Sequence, residues 1–490
     1  MRMIPDAWFE PRPWVAGEWQ TTADSFAVTD PATGRTLADV GRADAALVDR
    51  ACAAAVAVLP DWSHASPFAR GQVLTRCAAL MTARRDALAR LITAEQGKPL
   101  AQARAEVDYA VSFFQWFGEE ARRVHGRLAS HPEADREFVI ERRAAGVAGL
   151  VTPWNFPLAQ AAKKVAAALA AGCTAVWKPA EATPLVALGL VPLLVEAGMP
   201  PAVLAVVPGR GSEVGPVLAA HPAVRVLSLT GSTATGRSLM VAAAAGIKRV
   251  SLELGGNAPF IVLPDADPDF VADQLVRLKL FVSGQVCVTA NRVFVPAGLE
   301  AALVTRLADR LLAARVGNGM AEGVDAGPLI HARACVDVGS LVREAVADGA
   351  ELVCANHGFE ADADLRHGSF FPPTLLCGVT DGMRIAREEI FGPVISLLRY
   401  DRPAAAVARA NATPAGLAGY VYGADLAACR AVAAALDVGI VGVNEWRPLK
   451  AEIPFGGVKE SGIGAEGGTE GIGEFLDTRV ISLPRPRLPA

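Results

Sequence analysis

No C-x-x-C pair occurs in this 490-residue chain: its eight cysteines, at 52, 77, 173, 287, 335, 354, 377 and 429, are scattered, and so are its seven histidines. That scatter argues against a disulfide framework and against a zinc site, so no structural metal is expected. A membrane-length apolar run is also missing. The most apolar stretch, "VAAALAAGCTAVW", is bounded by Lys163, Lys164 and Lys178 and reads as a buried helix followed by a strand. The start, "MRMIPDAWFEPRPW", lacks the basic, apolar and small-residue regions of a secretory signal, so a cytoplasmic location is expected. Neither sign of charge dominates. With 47 Lys and Arg against 51 Asp and Glu, the formal net charge of -4 supplies no electrostatic footprint for nucleic acid or a membrane surface.

What the chain does have is 52% hydrophobic residues and enough length for two or three domains. From Ser66 to Gly97 the apolar spacing predicts a helix stopped by Gly97-Lys98-Pro99, followed by a second helical stretch. Residues 125–146 are polar with an alternating end and read as a hairpin leaving the domain body. Between Gly146 and Leu254 short β-rich runs ("VAGLV", "TAVW", "VLAVV", "VRVLSL", "KRVSLEL") alternate with Ala/Leu/Val-rich helices, the pattern of a wound parallel sheet. From about Pro259 a second α/β pattern begins, with strands "FIVL", "NRVFV", "PVISLL", "GYVY" and "GIVGVN". Ligands of such sheets sit beyond the carboxyl ends of the strands, where "TPWNFP", "KPAE", "PGRG" and "LTGST" fall.

The stretch "SLTGSTATGRSLM" nearly spells a nucleoside-triphosphate loop, but Arg237 stands where that loop needs a lysine. The dinucleotide fingerprint G-x-G-x-x-G is absent as well, since "GRGSEVG" places its last glycine one position late.

Thirty-four positions separate Glu253 in "SLELGGNAPFIV" from Cys287 in "SGQVCVTANR". With "TPWNFP" and "KPAE" upstream and "EEIFGPV" and "PFGGVKESG" downstream, the chain resembles the aldehyde dehydrogenase superfamily over nearly its whole length. The resemblance implies an α/β fold of two Rossmann-like wound domains and a small β oligomerisation element. On that reading residues 1–125 and 147–253 form the NAD-binding domain, 254–466 the catalytic domain, and 126–146 with 467–490 the oligomerisation element. It further implies a homodimer or homotetramer acting on a small-molecule aldehyde.

The resemblance also assigns roles. Cys287 is the implied nucleophile, Asn155 a donor to the oxyanion, Glu253 the base that activates water, and Lys178 completes the catalytic set. A thiol of ordinary pKa is mostly protonated at neutral pH, so something near Cys287 must manage its proton. The presence of Glu253 favours hydrolysis to a free acid over acyl transfer to coenzyme A. Thr152, Pro153, Trp154, Lys178, Glu181, Gly209, Gly231, Ser232, Gly236, Leu254, Glu389 and Phe391 match cofactor-binding positions. Glu181 beside Lys178 favours NAD, with NADP possible, because a carboxylate accepts from a free 2'-hydroxyl and repels a 2'-phosphate.

"EEARRVHG" and "GIVGVNE" resemble succinate-semialdehyde dehydrogenases most, and "EGGTEGIGEFLDT" is similar to 2-oxoglutarate-semialdehyde enzymes. Both act on aldehydes with a remote carboxylate. Arg123 matches one arginine that binds it; read locally, Arg123 is equally a helix-surface partner of Glu119. A second arginine of those branches is replaced by Phe281, and the loop "NEWRPLKAEIPFGG" carries Trp446, Arg447 and Lys450. Either Arg447 or Lys450 restores the lost charge, or Trp446 and Phe281 line an apolar or aromatic pocket for an uncharged aldehyde. A non-catalytic structural protein on the same scaffold is the remaining alternative, and it needs none of Cys287, Glu253, Asn155 and Lys178.

Overall fold

A computed structural model of the chain describes residues 8–485; residues 1–7 and 486–490, the outer parts of the expected first domain and tail, lie outside the described residues. Five parallel strands form the middle of an eight-stranded sheet, in the spatial order Leu204–Val206, Thr174–Lys178, Val147–Val151, Val224–Thr230 and Arg249–Glu253. Every residue of Val147–Val151 and Thr174–Lys178 is buried, the condition of strands covered on both faces. The winding starts at Val147–Val151 and reverses beside it. A crevice therefore opens beyond the carboxyl ends of that strand and of Val224–Thr230, the switch point at which such sheets take ligands.

Three two-residue strands extend this sheet. Trp14–Val15 and Glu18–Trp19 lie at one edge and Gly462–Ile463 closes the other against Arg249–Glu253. Two residues carry no period, so none of these was readable from alternation.

The region expected as one helix from Ser66 to Gly97 is two, Pro67–Ala83 and Arg85–Gln96, broken at Arg84 with ψ 20°. Ser66 caps the first by accepting from the Ala69 N–H, and Gly97 at φ +93° ends the second. Next come Leu100–Glu120 and Ala159–Ala171; all thirteen residues of the latter, Lys163 and Lys164 included, are buried.

A second sheet runs Glu351–Ala355, Thr374–Cys377, Val394–Tyr400, Arg292–Pro296, Pro259–Val262, Ala418–Tyr422 and Ile440–Val443, all parallel except the first. A third, smaller sheet is antiparallel: Arg127–Ser130 pairs with Arg136–Ala144, which pairs from Leu476↔Ala144 to Pro484↔Arg136 with Leu476–Pro484. Its outward side chains include Leu128, 70% exposed, and Val480, 60% exposed. Among the described residues no helix is long and apolar enough to cross a membrane, and no group of three or more His, Cys, Asp or Glu side chains is placed to hold a metal.

Candidate active site

Cys287 lies between the helix Pro268–Leu280 and the strand Arg292–Pro296, just after a run of left-handed backbone: Val282 at φ +50°, Ser283 at +55° and Gly284 at +73°. For a β-branched residue such as Val282 this conformation is an outlier that surrounding contacts must hold. The Val282 N–H donates to Gln102 Oε1 at 2.8 Å and Ser283 Oγ to the Gly327 carbonyl at 2.8 Å. Gln285 fixes the next link, donating through Nε2 to the Val282 carbonyl and accepting from the Ile330 N–H at 2.8 Å. A methyl group on Gly256 would stand 2.4 Å from the Cys287 carbonyl, so that glycine admits the close approach of the nucleophile's backbone.

The Cys287 side chain is half-buried. Burial, and after it the charge of Glu389, pushes its thiol up to about 12, while Lys163 works in the opposite direction. Opposite it, Asn155 sits in the loop after Val147–Val151. Its Oδ1 accepts from the Phe156 N–H at 3.1 Å, and Nδ2 donates one bond to the Gln285 carbonyl at 3.0 Å. The amide orientation is thereby set, and one of its two N–H bonds remains uncommitted.

Glu253 ends its strand with both carboxylate oxygens buried and no hydrogen-bond partner among the described residues. Burial first, and Glu466 second, hold its pKa well above the usual carboxylate range, with Lys163 and Lys164 pulling it down. It opens on neither of the cavities described below. Glu466 accepts from Lys164 Nζ in a short contact and from Thr230 Oγ1 at 3.3 Å, and Lys163 Nζ stands 3.8 Å from its other oxygen.

Cys287 forms the wall between two cavities. On one side a groove of ≈ 760 Å³ follows the strand ends of the first sheet. Ten of the residues expected at cofactor-binding positions line it: Thr152, Pro153, Trp154, Lys178, Glu181, Gly231, Ser232, Leu254, Glu389 and Phe391. Trp154 meets Phe391 edge to face at 5.5 Å. Ser232 caps the helix Thr233–Ala244 by accepting from Thr235 N–H at 3.2 Å, and Arg237 turns outward to Glu460 at 2.7 Å, away from any phosphate loop.

Gly236 and Gly209 are two departures. A methyl on Gly236 would stand 2.4 Å from Leu254 Cδ2, so its contribution is close packing behind the groove rather than lining it. Gly209 is corrected: it packs against the Ala43 carbonyl and Val214, and Gly211, two residues on and 3.6 Å from Lys178 Nζ by its would-be Cβ, lines the groove instead. Phe26, Ala27, Val28 and Thr29 complete the wall from an N-terminal strand that no local pattern marks as functional.

These residues fit a dinucleotide. Lys178 is 5% exposed as a residue, and its ammonium makes no hydrogen bond among the described residues; burial lowers its pKa and Glu181 opposes that. A buried cation without a partner at the edge of a groove awaits ligand oxygens.

On the other side lies an apolar pocket of ≈ 50 Å³, room for a short chain. Phe281 touches Trp446 edge to face and Phe156 at a tilt, both at 5.6 Å between centroids. Two cations face this cage. The Arg447 guanidinium lies 5.1 Å over Phe281 and 5.9 Å over Tyr109, whereas Lys450 is exposed and does not line the pocket. The second is Lys163, 3% exposed, its ammonium 3.7 Å from the Phe455 ring centre. Burial works against its charge, but Tyr109, Glu466, Cys287 and Glu253 together hold its pKa above the ordinary value.

Lys450 and Arg123 are further corrections, since neither lines the pocket. The long helix ends at Glu120, and the following turn directs Arg123 outward to Glu120 at 2.7 Å and Glu119 at 3.4 Å. The pocket cation missed in the sequence was Lys163, visible there only as a lysine that an otherwise apolar helix must pair if it buries it.

The aldehyde dehydrogenase family model matches residues 19–481, and the chain belongs to that family. It is 43% identical to a 3-sulfolactaldehyde dehydrogenase of Pseudomonas putida, over 96% of this chain and 95% of that one. An NADP(+)-dependent succinate-semialdehyde dehydrogenase of Escherichia coli is 40% identical over 99% of this chain and all of its own. Among solved structures, the betaine aldehyde dehydrogenase of Staphylococcus aureus in complex with NAD+ superposes with a TM-score of 0.94 at 33% identity, covering 98% and 96%.

Proposed function

We propose that this chain is an NAD(P)-dependent dehydrogenase that oxidises a short aldehyde carrying a distal carboxylate, of the succinate-semialdehyde kind, to the free acid. The observation that carries this reading is the position of Cys287, in the wall shared by a dinucleotide-sized groove and a small pocket holding two cations. Relatives named for succinate semialdehyde and for sulfolactaldehyde act on aldehydes with a remote anion, which supports it.

The aldehyde enters with its anion toward Lys163 and Arg447, which places its carbonyl carbon at Cys287 Sγ. Sulfur attacks, and the thiol proton leaves toward solvent or Glu253; Lys163 favours its release by stabilising the thiolate, while the raised pKa of Glu253, set by burial and Glu466, favours its uptake there against the pull of Lys163. Asn155, through its uncommitted N–H, and the Cys287 amide hold the oxyanion of the thiohemiacetal. When bound, the nicotinamide dinucleotide supplies the two-electron acceptor for the oxidation to the thioester. A turn of the Glu253 side chain away from Glu466 brings its carboxylate to a water beside the thioester carbonyl; the base takes a proton, hydroxide adds, and sulfur leaves.

Glu181 favours NAD, with NADP accepted at lower affinity. The outer edge of Leu476–Pro484, unpaired among the described residues, and the apolar Leu128 and Val480 on that small sheet suit pairing with a second copy, a homodimer or homotetramer in the cytoplasm. The deciding experiment compares initial rates of NADH formation with succinate semialdehyde and with butanal, its analogue without the carboxylate, at matched subsaturating concentrations. A preference of about 10-fold or more for the semialdehyde is expected from a charge-assisted anion contact. Equal rates would favour the second reading, an uncharged aldehyde in a cage of Phe281, Trp446 and Tyr109.

A further inference from the structure

Lys98 and Glu106 form an ion pair whose side chains are both fully buried. Neither touches either cavity, and the mechanism above uses neither. An ion pair withdrawn from water persists where further polar partners complete it, and here the partners lie in the loop that carries Asn155 and at the start of the helix after it. Lys98 Nζ donates to Glu106 in a short contact and to the Asn155 backbone carbonyl at 2.7 Å, and it lies 4.1 Å over the Phe156 ring. Glu106 Oε1 accepts from the Leu158 N–H at 2.9 Å and the Ala159 N–H at 3.2 Å. The chain is gripped at Asn155 and over the four residues that follow it.

The same helix holds the nucleophile. Gln102 stands four residues before Glu106, hence on the same face, and its Oε1 accepts the N–H of Val282 in the left-handed run before Cys287. One turn further on, Tyr109 reaches the substrate pocket. The main chain around Lys98 is held against the segment that carries Gly319 and Gly327. Leu100 N–H donates to the Gly319 carbonyl at 2.8 Å, and methyl groups on Gly319 and Gly327 would meet the Lys98 and Gly97 carbonyls at 2.5 and 2.1 Å. Lys98 thus joins that segment, whose Gly327 carbonyl accepts from Ser283 in the run before Cys287, to the loop of Asn155.

We infer that Lys98 and Glu106, with Gln102 on the same helix face, are positioning residues that set the separation between the Asn155 amide and the Cys287 sulfur. This rests on the reading of Asn155 as an oxyanion donor. Misplacing such a donor by about 1 Å costs on the order of 100-fold in rate.

The test is a double-mutant cycle on kcat with the full-length enzyme, using E106Q, N155A and E106Q/N155A, with circular dichroism confirming the fold. Expected is a fall of about 100-fold in kcat for E106Q with the aldehyde KM little changed, and an E106Q/N155A double no slower than N155A alone. Losses that multiply, or a loss carried by KM, would overturn the inference. Where E106Q does not fold, K98M/E106L, which removes both charges together, enters the same cycle, and a wild-type kcat in it would overturn the inference equally. N155A with unchanged kcat would instead sink the reading of Asn155 itself.

Discussion

The two cavities that meet at Cys287 are built from different materials. The groove is wide, and much of its lining is main chain at strand ends and turns: Gly211, Gly231, Ser232 and Gly255, with Lys178 and Glu389 at intervals. The pocket is a small enclosure made of side chains that converge from far apart in the chain, Tyr109, Phe156, Lys163, Phe281, Trp446, Arg447 and Phe455. Main chain offers the same donors and acceptors whatever the residue, so the groove serves one ligand class through many changes of sequence. A pocket of long side chains changes with each of them, and Phe281 with Arg447 stacked on it is one such local solution. Shared chemistry and private specificity therefore sit on opposite faces of one thiol.

Removing the shared wall breaks the comparison outright. C287A is expected to lower NADH formation by roughly 10,000-fold or more while leaving dinucleotide binding intact, read as an unchanged rise in Tm on adding NAD.

A smaller effect separates the pocket from the groove. K163M is expected to cost about 10- to 100-fold in kcat/KM for succinate semialdehyde, and markedly less for butanal. Since Lys163 lowers the pKa of Cys287, its loss raises that pKa further, leaves less thiolate at any pH below it, and slows iodoacetamide alkylation at pH 8. An alkylation rate matching wild type would show that Lys163 acts on the substrate alone.

The smallest effect lies on the groove side. Glu181 is exposed, so screening limits its repulsion of a 2'-phosphate, and E181Q is expected to shift the NADP-to-NAD preference by about 5-fold toward NADP. Dissociation constants for both dinucleotides check it, and the semialdehyde-to-butanal ratio is expected to stay fixed.

The same contrast decides what was readable in the sequence. The groove lies where local signals are strongest, in Gly, Ser, Thr and Pro turns after buried strands, so "TPWNFP", "KPAE" and "LTGST" could be placed on one rim without a structure. Within it Gly236 and Gly209 were misplaced, because a glycine packed tightly on Leu254 or on Ala43 looks the same in sequence as one facing a ligand, as Gly211 does. The pocket depends on where a helix ends and which way its last turn points. Arg123 faces solvent because the helix stops at Glu120, and Lys163 faces Cys287 because Ala159–Ala171 runs behind the first sheet. Neither fact is local. The burial of Lys98 with Glu106 is of the same kind, since "GKP" reads as a helix stop and does not announce an ammonium under Asn155.

The left-handed run before Cys287 bears on how the chain tolerates change. Val282 and Ser283 occupy conformations that cost non-glycine residues about 1 to 3 kcal/mol each, and Gly284 could not accept even a methyl group, which would stand 2.2 Å from the Gly392 carbonyl. In a saturation library across this segment, permissiveness at 282 and 283 would follow the backbone angle, with glycine and asparagine favoured over closer chemical matches to valine and serine. A search for altered substrate preference gains more from positions 281, 446 and 447, where variation changes the walls and leaves the carrier of the nucleophile undisturbed.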